Sequence, residues 1–243
     1  MFTGFPEETV RFFLDIRFHN DAVFFNENRQ RYQQDVRAPF YAFIEELAPT
    51  MLKIDPAMEI RPHKCLARIH RDTRFTKDKS PYRNHLWLCF RRAAEEKQGS
   101  LNFFFEFGAD TLGWGMGFWG ENRPVMEMFR RQMVAQPDRI LDLIDSCNLP
   151  EHRMALGGSV FKRMSVPENI PERLKPWYVT KELFVPRFAP EFRWAYSPEL
   201  ADMVRRDFIA LAPLYRHLRG IYDDVQDQLE GWRPAGRLFS WIG

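Results

Sequence analysis

Six cations fall within sixteen residues at Arg68–Arg83, RIHRDTRFTKDKSPYR: Arg68, Arg71, Arg74, Lys77, Lys79 and Arg83. Only Asp72 and Asp78 oppose them, so the stretch carries a formal +4 while the whole chain carries +2. The planar fork of an arginine grips phosphate or carboxylate through two bonds at once, and lysine adds a point charge. These residue types, ordered by Phe75, Pro81 and Tyr82, could converge on one small anion. The plainer reading makes Asp72 and Asp78 partners in a salt-bridged structural corner and leaves the other charges in water.

Other chemistry has less support. The six histidines form no HExxH pair and the three cysteines no CxxC spacing, so no metal is assigned. Cys65 and His70 alternate onto opposite faces, and no base is identifiable beside Cys89 or Cys147. There is no GxSxG elbow, and no GxGxxG follows a strand. Glu106 is an acid within a phenylalanine-rich strand, where it could serve as a general base or simply face solvent or an arginine. No catalytic residue and no cofactor are assigned.

The elements that must position these residues follow from periodicity. Pro6, Glu7 and Glu8 open a helix over about 6–17, and a second helical stretch runs from about Ala22 to Leu52 with Pro39 splitting or kinking it. Phe25 and Tyr32 within it read as packing residues rather than ligand stackers. Alternation of period two then appears in Cys65–His70, His85–Phe90, Leu101–Phe107 and Leu112–Phe118, which predicts an antiparallel sheet. In the last of these Gly113, Gly115 and Gly117 share a face, on which a helix or an aromatic ring is expected to lie in preference to a ligand. Pro124 and Pro137 begin two further helices. From Pro167 to Pro198 the chain is punctuated by Pro171, Pro176, Pro186 and Pro190, and reads as irregular structure wrapped over the domain. Ser197 then caps a last helix with Pro213 inside it.

RIHRDTRFTKDKSPYR also resembles the signature R-I-x-R-D-T-R-F-S-K-D-K-x-P-Y-K of a family of conserved bacterial and fungal proteins classed as a domain of unknown function. Asn20, Phe25, Asn28, Arg29, Tyr32 and Pro39 match the family's N-terminal block. LGWGMGFW is similar to its glycine-and-aromatic strand, GGSVFKRMSV to its G-x-x-[YF]-K-R segment, and FIALAPLYRHL to its closing helix. Lys181 falls where a late L-L-x-x-K-like element would. Thr76 and Arg83 depart from the usual serine and lysine, and Phe24-Phe25 replaces a tryptophan–phenylalanine pair. The resemblance implies no established activity. It does imply that the signature and the Lys162-Arg163 segment define the family and could line one site.

Length and composition bound the rest. At 243 residues, 45% hydrophobic and with 23 phenylalanines, the chain can bury roughly 70% of its unfolded surface. The expected fold is α+β, one domain over 1–243, with a sheet from about 65 to 118 packed against N-terminal and C-terminal helices. A small anionic ligand held by Arg68, Arg71, Arg74, Lys77, Lys79 and Arg83, with Lys162 and Arg163, is the leading expectation. A protein partner docking on the ordered surface is the alternative. A sequence pI near 8.4 argues against nucleic acid. Few, odd-numbered cysteines and the lack of a signal peptide or a twenty-residue apolar run point to a cytoplasmic protein off the membrane.

Overall fold

The computed structural model describes residues 1–188 and 191–231; Pro190 and the end of the expected 1–243 domain lie outside them. Helix α1 (Glu7–Phe18) starts after Pro6, with two acids in its first turn, and buries Phe12, Phe13 and Ile16. Asp21 caps the short α2 (Ala22–Glu27) by accepting from the Phe24 N–H at 2.9 Å. A single turn, α3 (Arg29–Arg31), runs into a π-helical turn (Tyr32–Arg37) and then α4 (Ala38–Ile54). Pro39 explains that widened turn. It offers no N–H to the carbonyl of Asp35 and its ring crowds that carbonyl, so the backbone opens just before it. The hydroxyl of buried Thr9 on α1 donates to Asp35 O in its place.

One turn, α5 (Pro62–Cys65), precedes the sheet. Strands β1 (His85–Phe90), β2 (Leu101–Gly108) and β3 (Leu112–Phe118) form an antiparallel meander. Helices α6 (Arg123–Ala135), α7 (Pro137–Ser146) and α8 (Lys175–Val179) follow before β4 (Phe184–Phe188), and α9 (Glu199–Gly231) closes the described fold. The order in the sheet is β1-β2-β3-β4, antiparallel throughout. The fold class is α+β, as expected, but the sheet differs by one strand. The fourth comes from the proline-punctuated segment and not from Cys65–His70.

At Cys65–His70 the chain first makes the α5 turn, which Pro62 initiates. It then runs extended along the outer edge of β1, bridged at Leu66–Leu88. The alternation itself holds: Cys65 and Ile69 are buried, Arg68 and His70 exposed.

Helices cover one face of the sheet. Phe103 meets Phe208 and Tyr215 of α9 at 4.9 and 5.0 Å between ring centres, and Phe105 meets Phe43 of α4 at 4.5 Å. Two buried acids brace this packing. Asp207 on α9 accepts from Trp114 Nε1 (2.7 Å), Arg187 Nη1 (2.9 Å) and His152 Nδ1 (2.7 Å). Asp55, just past α4, accepts from Arg92 Nε (2.7 Å) and the Tyr215 hydroxyl (2.8 Å). On the opposite face, a Cβ at Gly117 would lie 2.3 Å from Phe184 Cβ, and one at Gly115 2.2 Å from Val185 O. The glycine stripe is therefore there to let β4 curl in. Among the described residues no helix is long and apolar enough to cross a membrane.

Candidate functional site

The base of the Arg68–Arg83 loop is a short ladder. Arg83 N donates to Ile69 O (2.9 Å) and Arg71 N to Pro81 O (2.8 Å), with a bridge between His70 and Tyr82. The N-terminal block locks this ladder from outside. The Asn20 side-chain amide accepts from Tyr82 N (2.9 Å) and donates to Tyr82 O (3.0 Å), satisfying both backbone groups of one residue. Phe25 stacks on the Tyr82 ring at 4.3 Å and 18°, and packs edge-on to His70. Burial pushes the Tyr32 hydroxyl up to about 12. Phe25 and Tyr32 are core residues, as their spacing suggested.

Between this loop and β1 opens a cleft of about 820 Å³. Arg68, Arg71, Arg74 and Arg83 line it together with Lys64 of α5, and with Arg91 and Lys97 beyond β1. Asp72 is the one acid among its lining residues. Arg74 is held by Asp72 through Nε (2.9 Å) and Nη2 (2.7 Å), and Arg71 pairs with Asp78. These hydrogen bonds keep both carboxyls well below the usual range, Asp72 at about 2.

Among the described residues, Lys64, Arg68, Arg83, Arg91 and Lys97 have no carboxylate partner. The Arg83 guanidinium lies 4.5 Å over the Trp87 ring, and its Nε is enclosed with no hydrogen-bond partner. Burial and the neighbouring Arg71 lower its pKa. Partial burial, then Arg83 and Arg91, do the same to Lys97. Mutual repulsion of this kind is what a bound anion relieves.

The remaining expected residues are elsewhere. Lys77 is exposed on the loop and does not line the cleft; Lys79 Nζ donates to Thr73 O at 2.8 Å and braces the loop instead. Lys162 and Arg163 are exposed next to the Val160–Thr180 bridge, on the β4 side of the sheet, so they do not join the signature in one site. Lys181 lines another cavity with Arg130, which donates to Tyr178 O and Thr180 O. Burial pushes the Cys65 and Cys89 thiols up to about 12, away from the thiolate form. Glu106 meets no arginine among the described residues; its carboxylate is 3.8 Å from His85 Nε2.

Sequence reasoning missed Lys64, Arg91, Lys97 and Trp87. Trp87 could have been found from the period of β1, which puts it with His85 and Cys89 on the face away from the core. Lys97 could not, since it comes from a loop whose path the spacing does not fix.

The chain belongs to the conserved hypothetical protein family DUF2461, whose model matches residues 8–217. The match takes in both the N-terminal block and the loop that it clamps. No curated protein matches the chain.

Proposed function

We propose that the protein binds a small phosphate- or carboxylate-bearing ligand in the basic cleft between the Arg68–Arg83 loop and β1. One observation carries this reading: among the described residues, five cations without a carboxylate partner line a single cleft, one of them with an enclosed and unpartnered Nε–H. Gathering like charges costs free energy unless an anion is shared among them, and a charge-assisted hydrogen bond returns about 1.5–3 kcal/mol. Arg68, Arg83 and Lys97 are the proposed binders, with Arg71 and Arg74 holding the loop through their own acids. No reaction is assigned to the site.

Calorimetric titration and thermal shift with phosphate, pyrophosphate and citrate test it. A ligand at a hundredfold its Kd adds about 2.7 kcal/mol of stability. Arg68→Ala, at an exposed position, should weaken pyrophosphate roughly tenfold or more while leaving the melting temperature of the free protein nearly unchanged. Lys162→Ala, on the other side of the sheet, should bind as the wild type does.

The alternative is a protein-interaction module with the basic segment as a salt-bridged corner. It has its own support in Phe75, 91% exposed at the loop with Arg74 5.5 Å from its ring centre. Wild-type protein that ignores every anion, with Arg71→Ala and Arg74→Ala variants that melt early, would select that reading and overturn the first.

A further inference from the structure

Trp87 lines a second hollow as well as the basic cleft. This hollow, of about 420 Å³, lies on the sheet face away from the core, and all four strands contribute to it. Its floor is Gly117 and Asn102; Phe104, Phe184 and Trp119 stand around it. Asn102 is only 3% exposed. Its Nδ2 donates to the carbonyls of Ser100 (3.3 Å) and Gly117 (3.2 Å), which turns Oδ1 toward the hollow. Among the described residues that oxygen accepts no hydrogen bond, so it is free to take an N–H donor from a ligand.

Two carboxylates, Glu106 and Glu182, are further acceptors on its lining, and Glu182 takes a hydrogen bond from Ser159 Oγ at 3.2 Å. Glu106 lines the hollow without a lysine or arginine partner among the described residues. Burial lowers the pKa of its neighbour His85, against the opposing pull of Glu106 itself. Where hollow and cleft meet, Trp87 and Trp119 face each other at 5.8 Å, with Lys97 Nζ 4.0 Å from the Trp119 ring centre. The chemistry thus changes across one indole, from cations on one side to aromatic rings, the Asn102 amide and two carboxylates on the other.

We propose that the two cavities hold one ligand, a nucleoside phosphate, with its base in the sheet hollow and its phosphate among Arg83, Lys97 and Arg68. A base offers two π faces to the aromatic walls and N–H donors on its edge to Asn102 Oδ1 and Glu106. The proposal rests on the anion reading above and adds the class of molecule to it.

The test compares three kinds of probe on the full chain by calorimetric titration: pyrophosphate, ribose 5-phosphate and the nucleoside 5′-monophosphates of the four bases. At least one monophosphate should bind roughly tenfold tighter than ribose 5-phosphate, within what stacking one base contributes. Glu106→Gln, nearly isosteric, should bring that monophosphate down to the level of ribose 5-phosphate and leave ribose 5-phosphate where it was. Phe184→Leu should do the same, and provides a second reading should either variant fold poorly. Equal affinity for ribose 5-phosphate and all four monophosphates would overturn the proposal and leave the anion site intact. Silence with every probe, pyrophosphate included, would overturn both.

Discussion

Asn20 and Tyr82 are 62 residues apart in the chain, yet one amide serves both backbone groups of the tyrosine. Asn20→Ala leaves a half-buried N–H and C=O without their partner, which should cost about 1–3 kcal/mol, read as a lower urea midpoint with an unchanged m-value. The same variant should weaken pyrophosphate, since Arg83 is the residue after Tyr82. The family resemblance pointed to Asn20, Phe25 and the Arg68–Arg83 loop, but not to their contact. A pairing across such a separation leaves no local periodicity to read. The cations were legible as a cluster because charge density is a property of composition. Their division was not: Arg71 and Arg74 turn to their own acids, Lys79 to a loop carbonyl, and Arg83 onto an indole.

At the scale of elements, β4 and the glycine stripe of β3 make one device. Gly117→Ala would drive a Cβ to 2.3 Å from Phe184 Cβ and 2.5 Å from its Cα, where backbone must move. We expect a loss of about 2–4 kcal/mol, of the kind that overpacking a tight contact brings. Gly220 is the control. It lies inside α9 with nothing among the described residues within 4 Å of an added Cβ, so Gly220→Ala should stabilise the protein by about 0.5–1 kcal/mol. Chemical denaturation of both variants side by side checks the pair. The alternation that announces β1, β2 and β3 is clear because one face of each is core. In β4, FVPRF is short and has Pro186 in its middle, where the missing N–H argues against a strand. It pairs nonetheless, with Pro186 opposite Gly115, a residue without a side chain to obstruct the close approach.

Across the whole molecule, Asp55 joins parts that the chain keeps far apart: the end of α4, Arg92 beyond β1, and Tyr215 on α9. Burial pushes its carboxyl up, but hydrogen bonds from Arg92, the Ala57 N–H and Tyr215 outweigh that and hold it below the usual range. A carboxylate whose pKa is depressed by folding contributes stability above its unfolded value near 4, and that contribution is lost as pH falls through the folded value. Asp55→Asn should therefore cost about 2–3 kcal/mol at pH 7. Its denaturation midpoint should also fall less steeply than the wild type's between pH 5 and 3. The separation between β3 and β4 has a temporal side. Some 65 residues lie between Phe118 and Phe184, whereas the β1–β2 and β2–β3 connections are short. Loop-closure entropy favours the local hairpins first and the distant strand last. On a ribosome releasing the chain from its N-terminus, the Arg68–Arg83 loop and three strands emerge well before the wall supplied by Phe184. That wall is thus absent from any nascent chain that has not yet reached β4, and the fourth side of the hollow closes only after it.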